Sequence, residues 1–160
     1  SGGGFMSTVA LLTYPDFYDV ACSSAGNHDN NIYNKWWSET HNGVEAVYKK
    51  KKDDDGNEVE ELTWNAKIKT NQSLANNLKG HLLLTHGNID NNVHPTNSLR
   101  LADELIKAGK RFDMMIFPGK RHGYGSFRSY YEKMMWYYFA EHLLGDYRNN
   151  VDIALPNSGK

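Results

Sequence analysis

Little cysteine, no surplus of either charge and no long apolar run bound this chain before any motif is read. Its one cysteine, Cys22, lies in the small and apolar run Val20-Ala21-Cys22-Ser23-Ser24-Ala25, and alone it makes neither an internal disulfide nor a cysteine metal cluster. Eighteen basic side chains stand against 19 acidic ones, a formal net charge of −1, so no global basic field draws the chain to nucleic acid or anionic lipid. No apolar stretch approaches the roughly 18–20 residues of a membrane span. The first residues are glycine-rich rather than basic followed by apolar, so any signal peptide is expected ahead of Ser1. Ser1-Gly2-Gly3-Gly4 lacks the Lys-Ser/Thr ending of a phosphate loop. His28, His41, His81 and His142 have no metal-like spacing, so neither a metal nor a cofactor is expected.

What is present reads as alternating helix and strand over 160 residues, enough for one domain. The stretch from Phe5 to Leu12 is apolar enough for a buried helix that stops near Tyr14-Pro15. Residues Phe17 to Ala25 read as a short buried strand, and Asn30 to His41 as an irregular helical excursion rich in aromatics. Between Val44 and Trp64 four lysines, Lys49 to Lys52, are followed by Asp55-Gly56-Asn57 and then by glutamates. This predicts a β-hairpin insertion near residues 44–64 whose arms face each other with opposite charge. Equal neighbouring charges favour a solvated hairpin over a nucleic-acid or lipid patch. Leu74 to Leu78 predicts a short helical turn, His81 to Thr85 a buried parallel strand, and Pro95 to Ala108 an amphipathic helix stopped by Gly109. Phe112 to Phe117 is a further strand, Phe127 to Leu144 a long aromatic helix, and residues 146–160 a loosely held tail. Met114-Met115 and Met134-Met135 read as core filler. This is the grammar of a mainly parallel α/β sheet flanked by helices.

In such a sheet, reacting groups collect beyond the carboxyl ends of the strands. Asp90 follows the strand ending near Thr85, His122 follows the strand ending near Phe117, and Ser1 would follow a strand ahead of it. The order Ser, Asp, His is that of an α/β-hydrolase, in which a serine on a strand-to-helix elbow is activated by an imidazole oriented by a carboxylate. The fold expected is therefore the C-terminal portion of an α/β-hydrolase, residues 1–145. The glycines after Ser1 suit the elbow, because residues without side chains let the following helix approach the sheet. Each residue also has a blander reading: Ser1 as an accident of position, Asp90 as a turn residue, His122 as a helix-entry histidine. Their joint order and placement favour the reacting set. His86 is read as a structural hydrogen-bonding residue and His94 as the opening of the next helix.

These segments resemble the prolyl oligopeptidase family of serine peptidases, within it the dipeptidyl peptidase IV branch. The resemblance rests on SGGGF at the nucleophile, HGNIDNNVH around the acid, the helix Thr96 to Ala108 and KRHGY around the base, and runs from Ser1 to about Leu144. It implies a hydrolase domain joined to a β-propeller, cleaving dipeptides from free peptide N-termini, and a periplasmic or secreted location. It further implies Ser1 as nucleophile, Asp90 as acid, His122 as base, Gly2 as an oxyanion amide, and Asn92, Tyr33 and Val93 at the substrate. Two positions depart from the branch: Gly2 replaces an aromatic residue, and Asp29 stands in place of a second pocket tyrosine.

The resemblance puts the propeller, the acidic pair that grips the substrate amine and a second oxyanion donor upstream of Ser1. The 160 residues alone are then expected to be nearly inactive, with Ser1 as a mobile terminus away from His122. The strand at Phe17–Ala25 is expected to expose a sticky edge, covered by its own N-terminal segment, by a second copy in a homo-oligomer, or by aggregation. An esterase or acylaminoacyl peptidase of the same fold, and a non-catalytic interaction module, are the competing readings.

Overall fold

The structure is a computed structural model and describes residues 1–65, 68–148 and 152–153. In chain order the elements are α1 (Gly2–Thr13), β1 (Val20–Ser24), α2 (Lys35–Asn42), β2 (Glu45–Lys52), β3 (Glu58–Asn65), a 3-10 segment (Asn71–Asn77), β4 (His81–Gly87), α3 (Thr96–Lys107), β5 (Asp113–Phe117) and α4 (Arg128–Leu144). They form two compact units, Ser1–His28 with Asn71–Lys160, and Asp29–Thr70.

The first unit is built on a parallel sheet in the order β1-β4-β5, with Cys22 beside Leu83 and Leu84 beside Met114. Strand β4 is central, and every residue from Leu82 to Gly87 is buried, as a strand covered on both faces requires. Leu11 and Leu12 of α1 join Leu82 and Leu84 of β4 and Leu101 and Leu105 of α3 in one apolar cluster. A second cluster gathers Phe117, Tyr124 and Tyr131, packed by Met115, Met134 and Met135, so these methionines fill a core.

Several boundaries differ from those read in the sequence: α2 starts at Lys35 rather than Asn30, the turn read at Leu74–Leu78 spans Asn71–Asn77, β4 runs on to Gly87 rather than Thr85, and the starts of α1 and β1 shift for reasons the packing shows. Helix α1 starts at Gly2 rather than Phe5, because close packing overrides the poor helix propensity of glycine. A Cβ on Gly4 would lie 2.6 Å from the Ser24 carbonyl oxygen and 2.9 Å from the Gly26 Cα, so only glycine lets the helix sit on the end of β1. Strand β1 starts at Val20 rather than Phe17. The amides of Phe17 and Tyr18 both donate to the Tyr14 carbonyl, which closes a turn after the helix and leaves the Phe17 side chain 78% exposed. Of the tail at 146–160, only residues 146–148 and 152–153 are described.

In the second unit, β2 and β3 pair antiparallel with Lys49 opposite Glu61, Lys50 opposite Glu60 and Lys52 opposite Glu58. The turn between them is the expected one. Asp53 Oδ1 accepts from the amides of Asp55 (3.0 Å) and Asn57 (2.8 Å), and Gly56 takes a φ of 85°. Helix α2 is capped by Asn34, whose Oδ1 accepts from the Trp37 amide at 3.3 Å. The Asn31 side-chain amide donates to the Ile68 carbonyl at 2.7 Å and its Oδ1 accepts from the Ile68 amide at 2.8 Å, tying the two ends of the unit together.

Candidate active site

The loops after β4 and β5 are joined before any side chain of the site is considered. A Cβ on Gly87 would lie 2.3 Å from the Lys120 carbonyl oxygen, so the end of β4 runs hard against the chain leading to His122. The Asn88 amide donates to Phe117 O and the Ile89 amide to Lys120 O, both at 3.2 Å, while Asn88 Oδ1 accepts from the Gly119 amide at 2.7 Å. Asp90 and His122 are thereby presented together.

His122 Nδ1 donates to Asp90 Oδ2 at 2.7 Å, and its Nε2 takes a hydrogen bond from Ser1 Oγ. The expectation that Ser1 lies apart from His122 is therefore corrected. The Ser1 nitrogen donates to the Ser24 carbonyl at 3.1 Å and the Phe5 amide donates to Ser1 O, so both the end of β1 and the first turn of α1 hold the serine. The same turn of α1 is anchored by side chains as well: Ser23 Oγ donates to Gly4 O at 2.9 Å, and Asn71 Nδ2 donates to Phe5 O at 3.1 Å and to His28 Nδ1 at 3.0 Å. Helix geometry leaves the Gly2 amide without an intrahelical acceptor, next to the Ser1 hydroxyl.

The Asp90 side chain is entirely removed from solvent, and that of His122 is 28% exposed. Burial alone would raise the Asp90 carboxyl. Hydrogen bonds from His122 and from the amides of Asn92 (2.9 Å) and Val93 (3.1 Å), with the charge of His122, outweigh burial and hold it below the ordinary carboxylate value. An ionised Asp90 holds the His122 proton on Nδ1 and leaves Nε2 to accept from the serine.

Of the remaining residues singled out in the sequence, Asn92 is exposed on the acid loop and gives its amide to Asp90. Val93 is fully buried, its amide on Asp90 and its carbonyl on His86. Tyr33 belongs to the second unit, half-buried, its ring 6.4 Å from that of Trp37. Asp29, also in that unit, is buried and accepts from the Asn31 amide at 3.0 Å. His94 Nδ1 accepts from the Thr96 amide at 3.2 Å at the start of α3.

Sequence reasoning missed Tyr124. Two residues after His122, it takes a left-handed φ of 67° and is fully buried, its hydroxyl 2.7 Å from Ser24 Oγ and 2.8 Å from Thr85 Oγ1. It ties the base loop to the ends of β1 and β4. Among the described residues no group of three or more histidine, cysteine, aspartate or glutamate side chains could hold a metal ion, and no helix is long and apolar enough to cross a membrane.

A parallel sheet flanked by helices, with hydroxyl, imidazole and carboxylate in line at its carboxyl rim, is the arrangement of a serine hydrolase. Comparison with known proteins gives the family: residues 1–146 match the model of the prolyl oligopeptidase family, and the chain belongs to that family of serine peptidases. It is 28% identical over 145 residues to dipeptidyl peptidase 8 of Homo sapiens, covering 89% of this chain and 15% of that protein. It is 27% identical over 120 residues to inactive dipeptidyl peptidase 10 of Mus musculus, covering 72% of this chain and 13% of the relative. The chain thus spans about 15% of the length of the curated relatives it matches. Among solved structures, a Bacteroides ovatus chain described as a dipeptidyl aminopeptidase IV superposes with a TM-score of 0.69 at 23% identity, covering 88% of this chain and 18% of that one. Porphyromonas gingivalis dipeptidyl peptidase 4 gives 0.63 at 23% identity, covering 86% and 18%. These likenesses bear out the α/β-hydrolase fold.

Proposed function

We propose that this chain carries the reacting groups of a serine exopeptidase that releases dipeptides from peptide N-termini. The observation that carries the reading is the unbroken line from Ser1 Oγ through His122 to Asp90 Oδ2. In the proposed reaction Ser1 Oγ attacks the carbonyl carbon of the second substrate residue and its proton passes to His122 Nε2. The imidazolium, stabilised by Asp90, returns that proton to the leaving amine, and water then cleaves the acyl-enzyme by the same route in reverse. The Gly2 amide donates to the oxyanion, and Asn92 holds a substrate carbonyl.

The dipeptide assignment draws on the names of the relatives, dipeptidyl peptidases among them. A non-catalytic role has a precedent in the relative named inactive dipeptidyl peptidase 10. The serine hydroxyl resting on a histidine that rests on a buried carboxylate favours catalysis.

Labelling of the intact protein with a fluorophosphonate, followed by a panel of dipeptide-amides, tests the reading. Labelling that Ser1→Ala abolishes, with dipeptide release, is the expected result. Labelling without dipeptide release but with ester or acyl-peptide cleavage would replace the exopeptidase by an esterase or acylaminoacyl peptidase, and no labelling would leave the non-catalytic role. The 160 residues by themselves are expected to turn over little. Gly2 gives one oxyanion amide, and the lack of a second donor costs about 100- to 1000-fold.

A further inference from the structure

Behind Asp90 lies a second imidazole that the reaction as written does not use. His86, at the end of β4, is fully buried. Its Nε2 is 2.8 Å from the Val93 carbonyl oxygen and 3.3 Å from Asp90 Oδ2, and its Nδ1 is 2.8 Å from Ser98 Oγ on α3. A carbonyl oxygen only accepts, so Nε2 carries the proton, and neutral Nδ1 then accepts from the Ser98 hydroxyl. The tautomer follows from the partners. Burial lowers the affinity of His86 for a second proton, which keeps the ring neutral, with its one N–H on the Val93 carbonyl and its Nε2 in polar contact with Asp90 Oδ2. The ionisable groups that face it are Asp90, His122 and His28.

A buried carboxylate needs its acceptor positions filled, and a carboxylate offers about four. Asp90 Oδ1 takes the amides of Asn92 and Val93, and Oδ2 takes His122 Nδ1, with His86 Nε2 beside it. His86 is the contact that comes from the sheet itself rather than from the acid or base loop.

We infer that His86, held by Ser98, is a positioning residue that extends the reacting set inward as Ser98–His86–Asp90–His122–Ser1 and sets the Asp90 carboxylate at the angle that orients His122. The inference rests on reading Ser1, Asp90 and His122 as the reacting groups. His86→Leu removes the N–H that holds the Val93 carbonyl beside Asp90, His86→Gln restores an N–H close to the position of Nε2, and Ser98→Ala leaves the ring and its tautomer but releases its orientation.

In the intact protein, the rate of Ser1 modification by a fluorophosphonate is expected to fall about 10- to 100-fold in His86→Leu. His86→Gln should recover most of that loss, and Ser98→Ala should fall about three- to tenfold. Removing a donor leaves Asp90 with more uncompensated charge, so the acid limb of the pH–rate profile should move to higher pH in His86→Leu. Where His86→Leu does not fold, the Ser98→Ala and His86→Gln rates decide. A folded His86→Leu with wild-type labelling and an unmoved acid limb overturns the inference, as does an unchanged Ser98→Ala. A loss that His86→Gln does not recover and that leaves the acid limb in place assigns His86 to stability alone and also overturns it. Because labelling needs no peptide, normal labelling without dipeptide release would refute the exopeptidase reading and leave this test intact.

Discussion

At the rim of the parallel sheet Asp90 gives up all contact with solvent and is met by two imidazoles and two amides. On the β2–β3 hairpin Lys50 and Glu58 approach to 3.4 Å with side chains that remain 73% and 68% exposed. Both are pairings of opposite charge or strong dipole, but in water the ion pair is worth only about 0–1 kcal/mol. The buried carboxylate must keep every partner, because one left unpaired away from solvent costs several times more. Polar groups at the rim therefore fix geometry, whereas those on the hairpin set register and solubility.

The sharpest way to break this contrast is Asp90→Asn, which keeps the shape but removes the charge that fixes the His122 tautomer. Steady-state turnover in the intact protein should fall about 10⁴-fold while the fold survives. A loss under tenfold would mean that the rim tolerates rearrangement as the hairpin does. Next is Gly87→Ala, which drives a Cβ to 2.3 Å from the Lys120 carbonyl oxygen. Prising the acid and base loops apart should cost about 1–3 kcal/mol in thermal unfolding. An alanine accepted without loss would show that the loops are not tightly joined.

Acidification probes the same region through His28. Burial above all pushes this imidazole down to about 3. The unfolded chain takes up the proton near pH 6.5 and the folded chain does not, so stability falls as pH drops through about 6.5 and goes on falling until the folded value is reached. Denaturation curves should show a loss of about 2 kcal/mol between roughly pH 6.5 and 5 from His28 alone, which His28→Gln flattens. A wild-type profile already flat over that window would contradict the burial argument. The smallest effect belongs to the hairpin: Lys50→Ala or Glu58→Ala should change stability by less than about 0.5 kcal/mol, with hydrogen exchange in β2 and β3 unaltered. A larger change would make the hairpin resemble the rim.

The same contrast explains what could be read in advance. The hairpin was legible in full, because lysines on one arm, glutamates on the other and Asp55-Gly56-Asn57 between them are local signals. The strands and helices of the sheet were legible from apolar runs, but not all their ends: β4 runs two residues past Thr85, and at the starts of α1 and β1 the tertiary contact at Gly4 and the turn onto the Tyr14 carbonyl decide. Motif order and strand exits singled out Ser1, Asp90 and His122, and these three side chains do meet. What holds them was not legible. His86 stands four residues before Asp90 in a strand exit, a weak signal without the partners supplied by Val93 and Ser98. Tyr124 acts through a left-handed backbone and two hydroxyls that lie 100 and 39 residues away in the chain.

The bond from Asn88 to Gly119 and the close pass of Gly87 under Lys120 make the acid and the base one mechanical part. Alignment of the site then depends on one further joint, the seat of α1 on the end of β1, which Ser23, Ser24 and Asn71 hold. A drift of that helix would detach the hydroxyl from an otherwise intact pair, so the machinery would switch off by losing one component and keep the other two ready.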